Sequence, residues 1–293
     1  MGRFILFTVN GLAFGAIYAS VALSLVIIWR STRVLNFAQG AQAVASAYAG
    51  WYVINATGSF WLGLLGALVA GALVGAAIQL TVFRTAENMP HINTIVIGVG
   101  LLLAIQAILG MAFPITTTRT IGAAFAQDKW RLGNVPLTSP QDIFVIGSVL
   151  AVMAVVGWLM THTTLGLKMR ATAFAHETAR LMGVRVFRML TLGWALAGIV
   201  SALAAMLVLP TSAELIPSAM DGVFVLGFVT AVVGGLESPV GAVVGGIATG
   251  LVLSYTSGYA SPDLLYPAAL ALLVIVLLVK PEGLISAAQA RRV

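Results

Sequence analysis

Residues 4–29 read FILFTVNGLAFGAIYASVALSLVIIW, a run without one charged side chain, followed by Arg30 and Arg33. A helix rises 1.5 Å per residue, so about 20 apolar residues cross the roughly 30 Å hydrocarbon core of a bilayer. The run is longer than the roughly 7–15-residue apolar segment of a signal peptide. It reads as a retained first membrane span.

The rest of the 293-residue chain repeats that pattern. It is 60% hydrophobic and 8% charged, against about 25% charged in soluble domains. So little charge cannot cover a surface in water, and the chain reads as an all-α polytopic membrane protein. Candidate spans fall at 4–29, 40–56, 60–83, 92–113, 142–160, 189–210, 220–235, 242–258 and 265–280, giving about nine (8–10) transmembrane helices. Residues 40–56 fit either a full span or a re-entrant element. No soluble domain boundary is visible, so residues 1–293 form one transmembrane domain. Its longest polar connections are 114–141 and 161–188.

The net charge of +6 does not point to nucleic acid, because the basic residues lie in short connections between apolar runs. With the N-terminus outside and nine crossings, Arg30, Arg33, Arg84, Lys168, Arg170, Arg180, Arg185, Arg188, Lys280, Arg291 and Arg292 are cytoplasmic. Only Arg3, Arg119, Lys129 and Arg131 are then external. The positive-inside rule favours this orientation. It makes 161–188 a cytoplasmic loop, 114–141 an external one, and the C-terminus cytoplasmic.

Gly71 and Gly75, Gly241 and Gly245, and Gly246 and Gly250 each have GxxxG spacing. Such residues let helix backbones approach in lipid, within one chain or between subunits. LNFAQGAQAV and VGGLESPVGAVVGG each place a polar break before a small-residue helix, a hint of two related halves.

Catalytic and energy-converting motifs are missing. The chain has no cysteine. HETAR at 176–180 starts like HExxH, but Arg180 stands where a second zinc ligand belongs. His91, His162 and His176 are the only histidines, and no phosphate-binding GxxxxGK[ST] occurs. The chain reads as no enzyme, with no cofactor or metal site of its own. Asp221 follows Ser218 at capping-box spacing, and the mid-span polar residues Asn55, Gln79 and Gln106 do not titrate. Uphill transport through this chain needs energy from a partner.

Residues 171–183, ATAFAHETARLMG, are rich in helix formers. They read as one short helix on the cytoplasmic surface with Gly183 as its C-terminal cap. Charge runs from Glu177 to Arg180, Arg185 and Arg188, as a helix dipole prefers. Lipid headgroups suffice to hold such a helix. Glu177, Thr178 and Ala179, then three residues and Gly183, resemble the E-A-A-x-x-x-G loop of ABC importer membrane subunits. GLAFGAIYASVALSLVIIWRSTRVLNFAQGA, LGLKMRATAFAHETARLMGVRV, AVVGGLESPVGAVVGGIATGLV and KPEGLI all resemble the LivH-type permease of branched-chain amino-acid ABC importers. The likeness runs through the whole chain in order. Gln39 stands where that family often has His, and Glu237 where Gly is usual.

This resemblance implies a permease subunit in a bacterial inner membrane, in contact with membrane lipid. Its implied partners are a second related permease subunit, two ATP-binding subunits that carry ATP and Mg, and an external substrate-binding protein. Glu177, Thr178, Ala179, Arg180, Gly183 and Arg185 are then the candidates for coupling to the ATPases. Asn36, Gln39 and Gln42, at a helix break, are candidates for the substrate pathway; capping the broken helix also accounts for them. Substrates of related permeases include urea, amides and aromatic acids. A ribose-type sugar permease and a non-transporting membrane scaffold remain alternatives.

Overall fold

The computed structural model describes residues 2–86, 91–114, 117–132, 135–136, 138–211 and 214–285. Arg291, Arg292 and the C-terminus, used above for orientation, lie outside the described residues, as do the side chains of His91 and His176. The chain is helical apart from its connections. The helices are α1 Gly2–Thr32, α2 Gln39–Thr57, α3 Phe60–Ile78, α4 Arg84–Ala86, α5 His91–Ala112, α6 Pro140–His162, α7 Thr164–Phe174, α8 His176–Leu181, α9 Val186–Val208, α10 Asp221–Gly234, α11 Pro239–Tyr259 and α12 Leu265–Val279. A π turn, Gln79–Phe83, joins α3 to α4. Arg131–Leu132 and Val135–Pro136 form a two-residue antiparallel pair in the long loop.

Each of the nine expected spans coincides with a helix. Seven are long and apolar enough to cross a bilayer. The other two are α2, of 19 residues but less apolar, and α10, of 14 residues. α2 is continuous, ends at Gly58 in the left-handed region (φ +71), and has no break along its length.

The helices fall into two compact units, each assembled from separated segments. The first comprises 1–26, 125–157 and 225–293. Here α11 uses two glycine pairs on two faces. Gly241 and Gly245 lie against Gly234 and Thr230 of α10, whereas Gly246 and Gly250 lie against Gly15 and Gly11 of α1. Ser238 starts α11 by accepting a hydrogen bond from Gly241 N at 3.0 Å, with Pro239 at the first helical position. The KPEGLI segment folds back onto α10: Leu284 N donates to Val233 O at 2.8 Å. The backbones touch at Gly235 (φ +105) and Gly283 (φ +88). A side chain at either position would meet both backbone strain and the facing backbone segment of the same chain.

The second unit comprises 27–124 and 158–224. Its centre is the three-helix packing of α2, α3 and α9. Gly50 of α2 faces Gly63 of α3, Gly71 faces Gly198 of α9, and Gly75 faces Trp194. All three GxxxG pairs therefore serve contacts within the chain. At one end of α2, Arg119 lies over the rings of Trp51 and Phe113 at 5.6 and 5.5 Å. Its Nη1 donates to Pro114 O and Thr117 O. Tyr48 stacks on Phe113 at 4.4 Å and donates to Leu215 O. One arginine thus ties the start of the long loop to α2. Asp221 opens α10 as expected, but its carboxylate is held by Gln106 Nε2 of α5 at 2.9 and 3.0 Å. The contact between Asp221 and Ser218 is instead through the backbone, Asp221 N donating to Ser218 O at 3.0 Å.

Candidate translocation and coupling sites

The turn before α2 collects three amides. Asn36 Oδ1 accepts from Ala38 N at 3.0 Å, an Asx turn that reverses the chain after α1. Asn36 Nδ2 donates to Gln39 Oε1 at 2.7 Å and to Gln42 Oε1 at 3.2 Å. Gln39 Nε2 crosses to α9 and donates to Ala197 O at 3.2 Å. All three side chains are buried, at 0%, 1% and 0% exposure. The structure thus brings Asn36, Gln39 and Gln42 together as one network that closes on itself and on α9. In this conformation the amides face one another and the neighbouring helices.

Gln42 Nε2 is left without a hydrogen-bond partner among the described residues, as are Gln79 Oε1 and Trp194 Nε1. These groups belong to α2, the π turn and α9. Gln79, a mid-span amide in the sequence, is buried at 2% exposure. The signal in the sequence was its place four residues after Gly75, on the face that α3 buries.

The charged loop is built from two helices rather than the single one expected over 171–183. α7 starts at Thr163, whose Oγ1 accepts from Gly166 N at 3.2 Å. The chain then leaves helical geometry at Ala175 (φ −153, ψ 89) and re-enters it as α8. Alanine carries no breaking signal. After the break, α8 buries Ala179 against Val186 and Leu190 of α9.

α8 closes as a Schellman motif. Gly183 N donates to Arg180 O at 3.0 Å and Val184 N to Ala179 O at 2.9 Å. Gly183 takes φ +79, and Val184 packs on the cluster that holds Ala179, the hydrophobic contact that accompanies this motif. Glu177, Thr178, Arg180, Gly183 and Arg185 are exposed, and only Ala179 of the six candidates is buried. Leu181 and Met182 are 87% and 81% exposed. One side of the loop therefore grips α9, and the other presents two apolar side chains among charges.

Comparison with known proteins agrees with this layout. A family model described as branched-chain amino acid transport system / permease component matches residues 7–279. The chain is 24% identical over 301 residues to the high-affinity branched-chain amino acid transport system permease protein LivH of Escherichia coli (strain K12), covering 97% of this chain and 96% of that protein. It is 25% identical over 275 residues to a LivH permease protein of Methanocaldococcus jannaschii, covering 90% and 87%. In fold it resembles a metal-chelate type ABC transporter in an inward-facing conformation, with a TM-score of 0.53, 19% identity and coverage of 93% and 86%. It also resembles PsaBC from Streptococcus pneumoniae in complex with Fab, with a TM-score of 0.51, 17% identity and coverage of 93% and 91%. At such identities these two likenesses speak for the fold alone. The family match spans nearly the whole sequence, and the chain belongs to the family of permease components of branched-chain amino acid transport systems.

Proposed function

We propose that this chain is the permease subunit of an ABC importer for branched-chain or related amino acids. The family match over residues 7–279 carries the reading. With a second related permease subunit it forms the route across the membrane. Two ATP-binding subunits hold ATP and Mg, and an external binding protein delivers the substrate. The N-terminus is external and the C-terminus cytoplasmic, which puts α8 on the ATPase side.

In this reading α8 is the coupling helix. Glu177, Thr178 and Arg180 present polar contacts to the ATPase, and Leu181 and Met182 offer it apolar anchors. Ala179 fixes the helix to α9, and Gly183 with Arg185 returns the chain to the membrane. Asn36, Gln39 and Gln42 belong to the substrate route when their mutual hydrogen bonds open. Amides suit that role because they bind polar groups without carrying charge through the bilayer.

The test is uptake by the complete complex, reconstituted in liposomes with its second permease, ATPases and binding protein. Radiolabelled leucine should accumulate only with ATP inside the vesicle, and unlabelled isoleucine or valine should compete. Ribose or urea entering in place of leucine would overturn the substrate assignment. No ATP-dependent uptake of any solute would overturn the importer.

A further inference from the structure

A chain of packed side chains leads from α8 to the amides of α2. Ala179 packs on Val186 and Leu190 at the start of α9. Phe187, between those two residues, is covered by the Arg84 guanidinium at 4.9 Å. Arg84 directly follows the π turn, and Phe83, the last residue of that turn, lies 4.4 Å from the Trp194 ring. Gln79 is the first residue of the same turn.

Gln79 Oε1 and Gln42 Nε2 are both buried and both lack a partner among the described residues. One is an acceptor and the other a donor. A Cβ built at Gly75 would stand 2.9 Å from Gln42 Nε2, and one at Gly198 of α9 3.0 Å from it; Gln79 follows Gly75 by one helical turn on the same face of the helix. Gln42 Oε1 is already engaged by Asn36, and the free nitrogen lies where α3 meets α9. Leaving an amide atom buried and unpaired is destabilising, so a donor and an acceptor left in this way call for an explanation. A π turn carries more residues than an α turn, so its register can change without breaking the helix.

We propose that Gln42 and Gln79 are positioning residues for transport that pair in a second state of the cycle, with the π turn Gln79–Phe83 as the two-state element linking them to α8. The proposal rests on the importer reading. It gives the coupling a physical carrier, because a chain of contacts transmits movement only where some element has two arrangements.

Gln79→Met keeps the length of the side chain and removes the acceptor. In the conformation seen here it deletes an unpaired polar atom, so the thermal midpoint of the purified complex should hold or rise. Uptake and substrate-stimulated ATP hydrolysis should fall by about five- to tenfold, the size of one buried hydrogen bond. A double variant, Gln42→Met with Gln79→Met, should be no slower than the slower single variant, since the second change has no remaining bond to break. Wild-type uptake by Gln79→Met would overturn the proposal. So would a loss of uptake together with a lower midpoint, or losses that multiply in the double variant. The wild-type complex is the control: if it fails to import leucine, the importer reading has failed, and with it the proposal.

Discussion

At Gly183 strain and crowding are separable. The backbone leaves α8 through φ +79, which costs an L-residue about 1–2 kcal/mol. Yet no atom lies within 4 Å of where a Cβ would stand. Gly183→Ala therefore adds strain alone. Gly183→Asn adds less, because asparagine tolerates the left-handed region, and Gly183→Val adds most. Retention of the ATPase subunits during purification should fall in the order Gly, Asn, Ala, Val, with membrane insertion unchanged. Equal retention in all four would show that the Schellman turn does not orient the docking surface. This glycine was readable from sequence because a C-terminal cap has a local signature. The closed amide network was not. Asn36, Gln39 and Gln42 announce polarity at a helix break, but the bond from Gln39 to Ala197 O spans 158 positions, and no local pattern encodes it.

Among the elements, the spans were the most legible and the bend in the charged loop the least. Span positions follow from runs of apolar residues, which the bilayer enforces. The break at Ala175 has no local signal, because alanine favours helix, and the packing of Ala179 on α9 that follows it joins residues of different helices. The glycine pairs were legible as close-packing residues, but their partners were not: α11 spends one pair on α10 and the other on α1. Close packing at Gly246 and open space at Gly110 predict opposite outcomes for two helical glycines. A Cβ on Gly246 would stand 2.5 Å from Ala19 Cβ and 2.6 Å from Gly15 O. Gly246→Val should therefore destabilise by about 1–3 kcal/mol or more through overpacking. Gly110 of α5 has open space around it, and Gly110→Ala should stabilise by about 0.5–1 kcal/mol by removing the backbone freedom of glycine. Thermal unfolding in detergent, followed by the helical circular dichroism signal, should move down for the first and up for the second. A midpoint that holds or rises for Gly246→Val would mean that α1 and α11 are not packed as described, and a fall for Gly110→Ala would mean that the space beside α5 is filled.

For the molecule as a whole, burial separates helices that the sequence treats alike. The most apolar windows of α1 and α9 are 83% and 78% buried, whereas those of α5 and α12 are 11% buried. Both kinds of helix are apolar because both sit in the membrane, and only the structure shows which face protein and which are left for lipid or a second subunit. Apolarity cannot give the direction of insertion either, since it is the same read from both sides. Direction is set by Lys and Arg, which cross the membrane least readily. In this chain they cluster in 161–188, the loop that carries α8. The absence of cysteine makes the orientation directly measurable. Thr178 is exposed on α8, and Gln127 is exposed in the long loop before α6. In intact cells, Thr178→Cys should resist a membrane-impermeant maleimide and become reactive once the membrane is opened with detergent. Gln127→Cys should react in both conditions. The reverse labelling would put α8 on the outer face, away from any ATP-binding subunit, and would remove the coupling role from Glu177, Arg180 and Gly183 together.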